Sequence, residues 1–139
     1  MKKILSCILC LVMVMSMAAC SPAPKETEPA EFQPVTDGQS VGSGAKTFPL
    51  EIIDKEGNSI KITVSTDKET VGEALLELGI VEGDAGEYGL YIKFVNGIEA
   101  NYDVDATYWA FYINGEYAMT GVEMTPIEEG ASYLLKVEK

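Results

Sequence analysis

Two kinds of side chain in this sequence have the type and spacing to do chemistry. Carboxylates crowd two short stretches, Glu82-x-Asp84-x-x-Glu87 and Asp103-x-Asp105. Hard cations such as calcium take several such oxygens, although neither spacing matches an EF-hand loop. The alternative is a pair of solvated acidic loops. Aromatic residues gather around Trp109. If Trp109, Phe111 and Ile113 face a core, strand alternation sends Tyr108 and Tyr112 to the opposite face, where Tyr91 joins them if its strand is a neighbour. A tyrosine platform of that kind stacks on sugars or ring ligands while its hydroxyls stay wet. The plainer alternative is a sheet surface of cross-strand aromatic pairs, with Trp109 a core residue.

Other chemistry is closed off by the residues that are missing. The 139 residues include no histidine, and all ten basic side chains are lysines. That removes Ser/His and Cys/His nucleophiles, an imidazole base and an ordinary zinc site. What survives is carboxylate chemistry, one acid raised in pKa and its partner kept ionised. A domain this small has little room for the cleft that requires, so the expectation is a protein that is not an enzyme. With a formal charge of −12 and no arginine fork, nucleic-acid binding is also excluded.

The elements that position these residues begin with a leader. Lys2 and Lys3 precede an apolar run from Ile4 to Ala19 that exits through Met17-Ala18-Ala19-Cys20. This is the layout of a secretory signal peptide, over residues 1–19. Its exit resembles the lipobox of bacterial lipoproteins, with Met17 in place of the usual leucine. The resemblance implies lipid on Cys20 and a location on the extracellular face of the cell membrane. The alternative is a plain cleaved signal. Cys7 and Cys10 would leave with the leader, so the remaining thiol has no disulfide partner. Eight lysines then stand against 22 acids, and membrane attachment must rest on the lipid rather than on a basic surface. Residues 20–46, rich in Pro, Glu, Ser and Gly, read as a tether. Its length is good for tens of ångströms, at ~5–6 Å times the square root of the residue count.

From residue 47 to 139 the pattern is that of a folded domain. Phe48, Leu50 and Ile52 alternate, Lys55-Glu56-Gly57-Asn58 supplies a turn, and Ile60, Ile62 and Val64 alternate again. Thr70-Val71-Gly72-Glu73 matches a helix capping box, Val71, Ala74, Leu75 and Leu78 make an apolar stripe, and Gly79-Ile80 is a stop signal. A polar loop over 82–87 follows. Leu90, Ile92 and Phe94 then alternate up to Asn96-Gly97, and Trp109, Phe111 and Ile113 alternate up to Asn114-Gly115, with a short strand near Glu116 to Met119 pairing back. Asn-Gly between alternating runs is the strongest short hairpin signal. Tyr133, Leu135 and Val137 form the last strand. The order ββαβββ predicts an α+β, β-grasp-like fold, a mixed sheet crossed by one helix.

The stretch Tyr108 to Gly115, Tyr-Trp-Ala-Phe-Tyr-Ile-Asn-Gly, with Val95-Asn96-Gly97-Ile98 before it and the Glu129-Gly130 turn after it, resembles an uncharacterised bacterial surface domain. That domain is similar to the C-terminal β-domain of transcobalamin and intrinsic factor, over roughly Ile60 to Val137. In those carriers the domain closes over cobalamin lying on a separate helical barrel, for which this sequence holds no counterpart. The resemblance therefore implies a ligand-facing lid or a stand-alone capture module. The expected function is a lipid-anchored, monomeric binding module for a small molecule such as cobalamin, a glycan or a surface protein, through Tyr91, Tyr108, Trp109 and Tyr112. The alternative is a calcium-binding, adhesive or structural domain using Glu82, Asp84, Glu87, Asp103 and Asp105.

Overall fold

The structure, a computed structural model, describes residues 33–139. The expected signal peptide, Cys20 and the first part of the tether lie outside the described residues. Among those described, no helix is long and apolar enough to cross a membrane.

The first half of the domain is built from three strands and a helix, β1 (Ser40–Gly42), β2 (Lys46–Ile53), β3 (Ser59–Thr66) and α1 (Val71–Glu77). The β2–β3 turn is tied by Asp54, whose carboxylate accepts the amides of Glu56 and Asn58 at 2.9 Å and the Asn58 side-chain amide at 2.8 Å. Those donors hold the Asp54 carboxyl below its usual pKa, the Asn58 side chain foremost. The capping box forms as the sequence indicates, with the Glu73 amide donating to the Thr70 hydroxyl and the Thr70 amide donating to the Glu73 carboxylate. At the other end Gly79 sits at φ +68°, its amide bonds Leu76 and that of Ile80 bonds Leu75, both to the carbonyl. This doubled closure satisfies carbonyls that the helix would otherwise leave open.

The second half comprises β4 (Val81–Gly86), β5 (Gly89–Val95), β6 (Ile98–Glu99), the short helix α2 (Tyr102–Asp105), β7 (Tyr108–Ile113), β8 (Glu116–Tyr117), a 3-10 turn (Val122–Met124) and β9 (Tyr133–Glu138). Both Asn-Gly pairs turn two-residue hairpins. Asn96 and Gly97 lie at φ 51° and 74°, Asn114 and Gly115 at 50° and 81°. Positive φ at both central residues gives the turn the twist of its strands, and Asn and Gly tolerate it best.

The architecture is not the α+β, β-grasp-like sheet crossed by one helix that the element order suggested. The described residues are mostly β. Six strands in the order β1-β3-β2-β9-β7-β8 form a curled mixed sheet, and β4-β5-β6 form a second, three-stranded one. Pairing is antiparallel except for β1 with β3 and β2 with β9. The difference arises from residues 82–87. They carry no apolar alternation because Glu82 to Gly86 are exposed, yet most of them are strand β4. Pairing with β5 holds them extended, with a register shift between Glu82 and Gly83. At Gly83 a Cβ would lie 2.0 Å from the Tyr91 carbonyl oxygen, so glycine lets the strands close there. The helix, at seven residues, is too short to span a six-stranded sheet. It rests instead against the 3-10 turn, where a Cβ on Gly72 would meet the Glu123 amide at 2.6 Å.

One apolar core joins these parts. Phe48, Leu50, Val64, Leu75, Val95 and Leu135 are almost wholly buried in it. Phe48 meets the Tyr133 ring edge-on at 5.2 Å, and Phe111 stacks on it at 6.0 Å. Residues 35–46, assigned to the tether on composition, contribute to the fold. Val35 enters the core, β1 pairs with β3, and the Asn96 side chain bridges the Val35 backbone, accepting its amide at 2.7 Å and donating to its carbonyl at 3.0 Å.

Candidate functional site

Strand β7 supplies most of the aromatic residues singled out in the sequence, and its pleat divides them. Trp109 and Phe111, each 7% exposed, face the core. Trp109 also donates its indole N–H to the Ile98 carbonyl at 3.2 Å, which fixes the ring. Tyr108 and Tyr112 stand on the other face. Register with β9 places Tyr108 opposite Glu138.

On that outer face Tyr112 donates its hydroxyl to Glu138 at 2.5 Å and meets Tyr117 edge-on, the ring centres 5.5 Å apart. The carboxylate beside it, reinforced by partial burial, pushes the Tyr112 phenol up to about 12, because ionising it would set two negative charges together. Tyr108 is also pushed up, chiefly by burial, then by Tyr117 and Glu138. Lys136 lies 3.6 Å from Glu138 and completes the cluster.

Where β7 runs past the end of β8, a cavity of about 360 Å³ opens between the two sheets. One wall is Leu90, Tyr91 and Ile92 of β5, a second is Tyr108, Trp109 and Phe111 of β7, and a third is the segment from Tyr117 to Val122. Among the described residues, no charged side chain lines it. Tyr91 and Tyr117 at its mouth are 44% and 55% exposed, and Met119 is 94% exposed, an unusual amount of apolar surface for one place. A hollow of about 440 Å³ beside Lys46, Ile127 and Glu129 is larger but has no aromatic lining.

Of the expected ligand-binding residues, the fold brings Tyr91, Tyr108 and Trp109 together in this groove and leaves Tyr112 just outside it. Sequence reading missed Leu90, Ile92, Tyr117 and Met119. Tyr117 was within reach, since a two-residue Asn114-Gly115 turn registers Ile113 with Glu116 and hence Tyr112 with Tyr117.

The acidic residues take separate places. Glu82 and Asp84 lie on β4 and Glu87 in the turn after it, while Asp103 and Asp105 lie on α2. Asp84 is ion-paired with Lys93, whose pKa is raised mainly by that hydrogen bond. Asp105 accepts from Lys55 at 2.7 Å and from the Thr107 hydroxyl and amide. These contacts, Lys55 first, bring its carboxyl down to about 2. Among the described residues, no three His, Cys, Asp or Glu side chains converge as a metal-holding group.

Every residue of the groove lies within 68–139, the segment that matches the family model of a domain of unknown function, DUF4430. The chain belongs to the DUF4430 family. Among solved structures, this DUF4430 chain is similar to a protein of Ruminococcus gnavus ATCC 29149 provisionally described as metal binding, with a TM-score of 0.65 and 27% identity over 68% of this chain and 98% of that one. It is also similar to haptocorrin in complex with Cbi, with a TM-score of 0.48 and 17% identity over 71% of this chain and 27% of that one. A likeness that loose carries no functional inference. No curated protein matches the chain.

Proposed function

We propose that the domain is a non-catalytic binding module that takes its ligand in the groove between β5 and β7, and that lipid on Cys20 holds it at the outer face of the cell membrane. The observation that carries the reading is the groove itself, an aromatic slot with no charged lining among the described residues, on a strongly acidic protein. Its volume falls in the range of small-molecule sites. Among the described residues, the two carboxyls displaced in pKa, Asp54 and Asp105, are both displaced downward, opposite to what a general acid requires.

Trp109 is the single tryptophan, so its emission reports occupancy of the groove. Titration of the full-length protein in detergent with aquocobalamin and with neutral aryl glucosides, followed by this emission and by calorimetry, is expected to give a saturable response. Tyr91→Ala should abolish it. Silence by both methods across the panel would remove the groove as a small-molecule site. Labelling with a radioactive fatty acid tests the anchor, since Cys20→Ser should lose the label.

A divalent-cation reading draws support from the description given to the Ruminococcus gnavus protein. It expects calcium to raise the melting temperature and the combined Asp103→Asn and Asp105→Asn exchange to cancel the rise. An unchanged melting temperature would end it.

A further inference from the structure

We infer that the groove receives an extended, basic peptide segment, which continues the six-stranded sheet along the free part of β7; this rests on the groove being the binding site. The argument starts from where the backbone groups of β7 point. The Asn114 amide donates to the Ser132 carbonyl at 2.8 Å, and in the same register Tyr112, Ala110 and Tyr108 stand opposite Leu134, Lys136 and Glu138. Antiparallel bonded pairs recur at every second residue, so these even-numbered positions turn their backbone groups to β9. Trp109 and Phe111 turn theirs to the other side. There β8 reaches only Tyr112 and Ile113, with one more bond from the Ala118 amide to the Phe111 carbonyl at 2.9 Å. Beyond Ala118 the chain peels away and becomes the third wall of the groove. Among the described residues the N–H and C=O of Trp109 have no backbone partner, and they face the cavity.

The opposite wall is also an open edge. Gly86 and Gly89 flank a two-residue turn and pair directly, so the alternation aims Gly89 and Tyr91 at β4 and leaves Leu90 facing away from it. Strand β6 pairs only with Phe94 and Val95 and does not cover Leu90. Exposed strand edges of this kind are templates for an added strand, and peptide-binding domains use them so, with side-chain pockets giving selectivity. Here the rings of Tyr91, Tyr108 and Tyr117 flank the free edge. Three residues at ~3.3 Å each set the length of the added strand at three or four residues.

Charge selects the occupant. Lys93, next to Ile92 in the groove wall, is engaged with Asp84, and Lys136, opposite Ala110 of β7, with Glu138, whereas Glu116 and Glu123 flank the third wall. With 22 acids against ten lysines in the chain, a segment rich in lysine is attracted and an acidic one repelled.

The test uses the full-length, nitrogen-15-labelled protein in neutral detergent and three capped hexapeptides: alternating lysine and valine, the same peptide N-methylated at alternate residues, and alternating glutamate and valine. The lysine peptide is expected to shift Trp109 emission saturably and to slow amide exchange at Trp109 at least tenfold. N-methylation, which deletes backbone donors and keeps the side chains, should weaken binding at least tenfold, as should exchange of lysine for glutamate. Exposed Met119 at the mouth gives a check that spares the fold, with Met119→Lys weakening the lysine peptide several-fold and Met119→Glu tightening it. Binding of the methylated peptide within twofold of its parent, or no protection of Trp109, would overturn the inference. A response to aryl glucosides but to no peptide would leave the groove as a binding site and sink the peptide; a response to neither would sink both.

Discussion

The two faces of β7 are made from six consecutive residues, and they obey different rules. Trp109 and Phe111 on the inner face are buried against apolar neighbours, and Phe111 stacks on Tyr133. Tyr108 and Tyr112 on the outer face are half-buried, and Tyr112 is governed by one carboxylate, Glu138. The inner face sets stability because its contacts have no substitute in water. The outer face sets titration behaviour, since hydroxyls and charges that remain partly wet can respond to pH without unfolding the domain.

The widest separation between the faces comes from truncating the inner one. Phe111→Ala should cost about 3–5 kcal/mol in urea denaturation, the range for a large core aromatic. A cost comparable to that of an outer-face change would mean that the core does not close there. Tyr133→Phe is next. It deletes a hydroxyl that donates to the Pro126 carbonyl at 3.2 Å and accepts the Glu128 amide at 3.2 Å, so the expected cost is about 1–3 kcal/mol with little change in packing.

Smaller effects test charge at the strand's entrance and on its outer face. Asp105, just before β7, has a carboxyl held at about 2 by Lys55, below the value near 3.9 of an unfolded chain. A depressed folded pKa gives stability that is present above about pH 4 and is lost as pH falls toward 2. Asp105→Asn should therefore lose stability near neutral pH and show less of that decline between pH 4 and 2, in acid titrations followed by circular dichroism. Tyr112→Phe should cost less than about 1 kcal/mol at pH 7. Its signature is spectroscopic. The Tyr112 phenol is raised to about 12, so the stability tied to it is present below pH 10 and lost as pH rises through 12. Phenolate absorbance should lack its last rising component in the variant.

How much of this was legible in the sequence depended on whether a signal was local. The capping box at Thr70 and Glu73 and both Asn-Gly turns could be read directly, because each is satisfied by residues within a few positions. The inward setting of Trp109 and Phe111 followed from alternation. The fold class did not, because β4 owes its strand conformation to pairing with β5 rather than to burial and so shows no period of two. The groove was half legible. Alternation placed Tyr108 and left Tyr91 conditional on its strand, whereas Tyr117 was missed; that β5 lies beside β7, and that β8 stops two residues into the pairing, are facts of tertiary register. The acidic stretches were read for their oxygens, while the lysines that engage Asp84 and Asp105 lie nine and fifty residues away.

The bridge between Val35 and Asn96 has a mechanical side. Tension applied along the chain from the N-terminal direction meets that pair of hydrogen bonds first, with the Val35 side chain seated behind them, and then the short ladder of β1 on β3, before any load reaches β2. Both are small seams at the margin of the domain. They can yield one after the other under a pull, as a sacrificial link, while β2, β9 and β7 and the slot beside them keep their shape.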